Sequence, residues 1–385
     1  MQRQQKEVTE MNDKPNQIDK LLRESVRKLE SYHVDSVKPR IKLDANENNW
    51  MEGKFQPALK EMISTFPLHQ YPDSECLALR HKLALMNNVH PDQVITGVGS
   101  DQIIAWIIQA FVEKDDRVLM MDPTFTMYEI NTLMAGGNPV KVPLGDDFSF
   151  DPEAFLAKAM EEAPKVVFLT NPNNPTGGSI PADVLIPLIH ELAKGDCVIA
   201  IDEAYYEFFG ETAVKEINNL EQLIILRTLS KAYGLAGIRA GYALASEKMM
   251  KSIFRVKPPY HMSGLDQLAA MVCLDQAESL KPVLDAVVAW REKLADTLIA
   301  FRLPHRIRVY PSKANFLLIH TADAAGLNER LQEQDILVRS YGSSGPLANC
   351  LRITIGTEAE NEQLLEVITQ MHLDAELRPD EEEDK

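Results

Sequence analysis

From about residue 76 to 247 the chain alternates helical stretches with short apolar runs. The runs are Gln93–Thr96, Arg117–Met121, Lys165–Thr170, Cys197–Ile201, Leu223–Arg227 and Gly241–Ala245. Strands that are apolar throughout are buried on both faces, so the pattern predicts a mostly parallel sheet covered by helices. After Lys257–Tyr260 the rhythm changes to a long helical region reaching about Phe301. Two strand-like segments follow, Ala314–Ile319 and Cys350–Ile355. A helix-like stretch near the start, Ile18–Leu29, puts Leu21, Leu22, Val26 and Leu29 on one side. The expected fold is α/β: a large domain over residues 56–270 and a smaller α+β domain built from 18–55 and 271–373. Residues 1–17 read as a disordered N-terminal extension and 374–385 as a disordered acidic tail.

Composition narrows the function classes. Hydrophobic residues are 45% and charged residues 25% of the 385, the balance of a globular protein of about two domains. No apolar run approaches the roughly 20 residues needed to cross a bilayer. Nor does the N-terminus have the apolar stretch of a secretory signal, so the cytoplasm and no membrane partner are expected. The formal charge of -17 argues against a nucleic-acid partner. Seven acidic and two basic residues between Asp374 and Lys385 account for -5 of it. Cys76, Cys197, Cys273 and Cys350 lie far apart without a CxxC pair, which fits buried thiols and no metal site.

In a sheet of this kind ligands bind beyond the carboxyl ends of the strands, so the polar residues just after each apolar run matter most. Thr96-Gly-Val-Gly-Ser-Asp101 could cradle a phosphate at a helix start. On its own it reads equally as a plain turn, a phosphate cup or a dinucleotide site, although Gln102 stands where the third glycine of a dinucleotide fingerprint belongs. Asn171–Gly178 follows the third run; its simplest reading is a turn. Asp202 comes directly after four apolar residues, a costly place for a carboxylate unless a cation faces it. The fifth run leads into Thr228-Leu-Ser-Lys-Ala-Tyr-Gly234, with Gly237-Ile-Arg-Ala-Gly241 beyond. A lone lysine in a turn is usually solvent-facing. Here Asn, Asp, Tyr, Lys and Arg at successive strand ends converge on one rim.

These segments carry a resemblance. Leu43–Glu47, Tyr71-Pro-Asp, Gly99-Ser-Asp, Asp122-Pro-Thr-Phe-x-Met-Tyr128, Asn173–Gly177, Asp202–Tyr205, Ser230–Arg239 and Leu351–Gly356 occur in the order found in aspartate-aminotransferase-type (fold type I) pyridoxal-phosphate enzymes. Within that superfamily the chain resembles the histidinol-phosphate aminotransferases, from about Leu22 to Met371. Two positions depart from that pattern: Ser31 where proline often precedes Tyr32, and His261 where asparagine is usual.

The resemblance implies that Lys231 attaches pyridoxal 5'-phosphate and later moves the proton between substrate and cofactor carbons. Asp202 would face the ring nitrogen. Tyr205 and Asn174 would hydrogen-bond the phenolic oxygen, and Phe125 would stack on the ring. Ser100, Asp101, Ser230 and Arg239 would hold the phosphate, joined by Tyr71 from a partner subunit, which implies a homodimer with shared sites. Arg339 and Arg352 would recognise the anionic groups of a small-molecule amino donor and a phosphorylated amino acceptor, with Tyr32 and Asn46 in supporting roles. The implied reaction is reversible amino transfer between L-glutamate and imidazole-acetol phosphate. Threonine-phosphate decarboxylases and aromatic aminotransferases share the pattern and are the alternatives. A non-catalytic sensor module is a remote one, because no basic DNA-binding segment precedes Tyr32.

Overall fold

The computed structural model describes residues 18–27, 29, 38–301 and 307–376, without the side chains of 373–376. Strand β1 is Ile41–Leu43. Seven strands form the larger sheet: β2 (Val94–Val98), β3 (Arg117–Asp122), β4 (Asn138–Pro143), β5 (Val166–Thr170), β6 (Val198–Asp202), β7 (Leu223–Thr228) and β8 (Ala240–Ala245). Their spatial order is β2-β8-β7-β6-β5-β3-β4. β3 through β7 pair in parallel, and β8 alone runs antiparallel to both its neighbours.

The central strands β5, β6 and β7 are buried at every position. Their side chains alternate between two cores, as a period of two requires. Val167, Leu169, Ile199, Ile201 and Ile225 join one core. Phe168, Ala200, Ile224 and Leu226 join the other, where the helix Gly99–Phe111 packs Ile103, Ile104, Ile107 and Ile108 against them. Because the strands are parallel, Thr170, Asp202 and Thr228 finish on one edge, with Thr170 registered against Asp202.

The smaller sheet has the order β1-β11-β12-β10-β9, with β9 at Arg308–Val309, β10 at Phe316–His320, β11 at Ile336–Ser340 and β12 at Cys350–Thr354. β1 pairs in parallel with β11, so the N-terminal segment joins the sheet made by the C-terminal third of the chain. The helices Leu280–Ala300, Ala324–Glu333 and Glu358–Glu376 accompany it.

Some elements differ from the pattern reading. Among the described residues of the expected Ile18–Leu29 helix only Glu24–Arg27 are helical, and Leu21 is 78% exposed. The helical region before Phe301 is two helices, Gly264–Asp275 and Leu280–Ala300. Strand β4 was not anticipated. The last helix continues to Glu376, past the start of the acidic stretch, while residues 1–17 and 377–385 lie outside the described residues. All four cysteines are buried and free. No helix among the described residues is long and apolar enough to cross a membrane.

Candidate active site

Nine of the residues singled out in the sequence line one cleft at the carboxyl edge of the larger sheet: Ser100, Asp101, Phe125, Asn174, Asp202, Tyr205, Ser230, Lys231 and Arg239. A second cleft shares Phe125, Asn174, Tyr205 and Lys231 with the first and adds Asn46, Arg339 and Arg352. Lys231 therefore stands at their junction.

Each side chain is placed by a strand end or a tight turn. Lys231 follows β7, and its Nζ donates to the Ala45 carbonyl just after β1, at 2.9 Å. Burial pushes its pKa down to about 8, helped by the Arg352 guanidinium. Both effects disfavour the ammonium form and make the amine a better nucleophile near neutral pH.

Asp202, the last residue of β6, is 3% exposed. Its Oδ2 accepts from Tyr128 Oη at 2.7 Å and its Oδ1 from the Ala204 N–H at 3.0 Å. No basic side chain pairs with it among the described residues, and burial raises its pKa to about 6. The two hydrogen bonds pull in the opposite direction without offsetting that. Tyr128, fully buried and stacked on Phe168 with centroids 4.4 Å apart, belongs to this site although no role for it is apparent from the sequence pattern. The Asp122-x-x-Phe-x-x-Tyr128 spacing contained it, but a tyrosine in an apolar helix reads as core.

At the other end of the first cleft, the helix Gly99–Phe111 begins directly after β2. Gly99 has φ +72, and a Cβ there would sit 2.6 Å from Arg239 Nη2. Gly241 leaves room for the Ser100 N–H, which a Cβ would meet at 2.3 Å. Arg239 Nη2 donates to Asp101 Oδ2 at 2.9 Å. Ser230 Oγ is buried with no hydrogen-bond partner. Gln102, in place of a third glycine, accepts from the Val98 N–H at 2.8 Å and so closes the turn.

The second cleft is walled by the smaller sheet. Arg352, on β12, donates to Asn174 Oδ1 at 2.5 Å and to the Asp44 carbonyl at 2.6 Å, while its Nε is buried without a partner. Arg339 faces it across the β11–β12 register and is exposed. Asn46 Nδ2 donates to Tyr205 Oη at 2.9 Å, and burial pushes that phenol up to about 12, so it remains a donor as well as an acceptor. Tyr71 lines neither cleft; it is 82% exposed and stacks on Tyr260 at 4.7 Å. Tyr32 lies outside the described residues.

The family described as aminotransferase class I and II matches residues 38–368. A histidinol-phosphate aminotransferase of Caldanaerobacter subterraneus is 38% identical over 92% of this chain and 99% of its own length. One from Ruminiclostridium cellulolyticum is also 38% identical, over 91% of this chain and 97% of its own. Among solved structures, the histidinol-phosphate aminotransferase of Sinorhizobium meliloti in complex with pyridoxal-5'-phosphate superposes with a TM-score of 0.83. It is 24% identical and covers 92% of this chain and 98% of that one, a likeness of fold. With its strand-end lysine, aspartate and arginine and a match over most of its length, the chain belongs to the aminotransferase class I and II family.

Proposed function

We propose that the protein binds pyridoxal 5'-phosphate and moves an amino group reversibly between L-glutamate and imidazole-acetol phosphate, giving 2-oxoglutarate and L-histidinol phosphate in histidine biosynthesis. The relatives of that name, 38% identical over nearly the whole chain, support this substrate pair. The observation that carries the reading is Lys231 at the junction of two clefts, with its pKa lowered to about 8.

The residues present fit the cofactor. Asp202 is a buried carboxylate that lacks a cation, and a protonated ring nitrogen would supply one. The unsatisfied Ser230 Oγ, the Arg239 guanidinium and the start of the helix Gly99–Phe111 make a phosphate cradle. The cofactor, when bound, supplies the electron sink for the substrate carbon. Lys231 is assigned to covalent attachment and then to carrying the proton from and to that carbon. Asp202 would keep the ring nitrogen protonated, with Tyr128 fixing its carboxylate. Tyr205 and Asn174 would serve the phenolic oxygen, and Phe125 would cover the ring. The Ser100 and Asp101 backbone N–H groups, the Ser230 hydroxyl and the Arg239 guanidinium would hold the phosphate. Arg352 and Arg339 take the anionic ends of the two substrates, since the guanidinium fork suits carboxylate and phosphate alike. Asn46 positions Tyr205.

The proposal extends to a homodimer in which the exposed Tyr71 of one copy reaches the phosphate site of the other. It also extends to a division of the chain into residues 56–270 and the pair 18–55 with 271–373, supported by the two separate sheets. An absorbance spectrum and a half-reaction test the core of the reading. The purified protein is expected to be yellow, and Lys231→Ala is expected to lose the absorbance of the covalently held cofactor. Histidinol phosphate should convert the cofactor to its amine form. A colourless protein that takes up no pyridoxal phosphate sinks the reading. Conversion by phenylalanine or threonine phosphate but not by histidinol phosphate overturns the substrate assignment.

A further inference from the structure

The second cleft has a charge pattern that the roles above leave unused. One side carries the arginines, Arg352 and Arg339, paired across β12 and β11. The same cleft is also lined by Glu129, from the first turn of the helix Met127–Ala135, and by Lys141 of strand β4. These two form an ion pair at 2.8 Å, with the lysine 39% and the glutamate 33% exposed. An ion pair so exposed to water contributes little to stability, so clipping an edge strand to a helix is a weak reason for it. Its position is more telling, because the cleft that it lines runs to Lys231.

Amino transfer imposes a demand on that cleft. Two different molecules must present the same kind of carbon to Lys231, and each must be held in reacting geometry. Both bring an anionic group, for which Arg352 has its buried, unpartnered Nε ready. Their far ends differ: one is a second carboxylate, the other an imidazole ring with an N–H to donate. Arginine and lysine have no acceptor atoms, so the cationic side cannot receive that N–H. A carboxylate can. Glu129 is such a group, and its ion pair with Lys141 orients it. Asp122 and Asp44 line the cleft too, but no ion pair holds Asp122 among the described residues, and Asp44, paired with Lys42, sits at the arginine end, where its carbonyl accepts from Arg352.

We propose that Glu129, braced by Lys141, accepts the hydrogen bond from the substrate's imidazole N–H and is the residue that fits an arginine-lined cleft to this ring. The inference rests on the amino-transfer reading and deepens it. The test compares holoenzyme half-reactions with histidinol phosphate and with glutamate, in wild type and in Glu129→Gln. The ratio of kcat/KM for histidinol phosphate over glutamate is expected to fall by about tenfold or more, mostly through KM, as befits a lost charge-assisted hydrogen bond. Glutamate gains in relative terms because a negative charge near its second carboxylate has gone. Glu129→Asp should restore part of the ratio, and Lys141→Met should lower it in the same direction. An equal loss on both substrates, an unchanged ratio, or a fall seen in Asp122→Asn but not in Glu129→Gln overturns the assignment. A wild-type protein inert toward histidinol phosphate removes the amino-transfer reading and this assignment with it.

Discussion

Asp202 holds two hydrogen bonds at 3% exposure and still has its pKa raised to about 6, because burial outweighs them. In the unfolded chain the same carboxyl titrates near its ordinary 3.8. Between those values the folded state binds more protons than the unfolded one, so stability falls as pH rises through the window. By pH 7.5 the ionised group costs about 2–3 kcal/mol in the cofactor-free protein. Asp202→Asn removes that cost. The cofactor-free variant is expected to be more stable than wild type by about that amount at pH 7.5, with the gap closing near pH 4, while amino transfer is lost. Urea melts at the two pH values check this, and a variant weaker at both contradicts it. The position of Asp202 was legible because a carboxylate after four apolar residues stands out. The service of Tyr128 was not, because its hydroxyl meets a residue 74 positions away, and only folding brings them together. The same holds for the Arg352–Asn174 contact across 178 positions.

Strand ends and the turns after them do most of the positioning, and their tolerance differs sharply from one glycine to the next. A Cβ on Gly241 would meet Ser100 N at 2.3 Å and Gly99 C at 2.4 Å, both backbone atoms with no side-chain freedom to yield. Gly237, four residues earlier in the same segment, has nothing within 4 Å of such a Cβ. Gly241→Ala is expected to cost about 3 kcal/mol or more, the upper end of overpacking, and to weaken cofactor binding by displacing the Ser100 N–H. Gly237→Ala should change either quantity little. Urea unfolding and a cofactor titration separate the two, and equal behaviour of the pair contradicts the steric account. Six strands of the larger sheet were readable as uninterrupted apolar runs. β4 was not, since Asn138-Pro-Val-Lys-Val-Pro143 carries two prolines and a lysine, which only an edge strand accommodates. The two- and three-residue strands β9 and β1 are too short to show a period. The N-terminal apolar stripe predicted more helix than the described residues form: Leu21 and Leu22 find no core, while Arg23 and Ser25 donate to the Met134 carbonyl.

At the scale of the whole molecule the two sheets meet where Arg352 of β12 reaches Asn174 after β5, which makes the second cleft a joint product of both. In the proposed dimer, Tyr71 is the residue that one copy would supply to the other's first cleft. This tyrosine is 82% exposed and stacks on the half-exposed Tyr260, and Leu68 and Leu77 in the same stretch are 76% and 49% exposed. Large apolar side chains grouped in this way mark an interaction surface. In a two-fold dimer the patch on each copy meets its counterpart, so a group that one copy gives is also one that it receives. This makes the shared site testable without a structure of the dimer. If the site is shared as proposed, Lys231→Ala and Tyr71→Ala are each expected to damage both sites of their own homodimer. A mixed dimer instead contains one site with the intact lysine of one copy and the intact tyrosine of the other. After unfolding and refolding an equal mixture together, random pairing is expected to restore about a quarter of wild-type activity. The two variants refolded separately and then combined should show no more than their summed residual activity. If co-refolding yields only that sum while sedimentation shows mixed dimers, Tyr71 does not serve the partner's site. If sedimentation shows monomers with full activity, the dimer itself is unnecessary to the reaction.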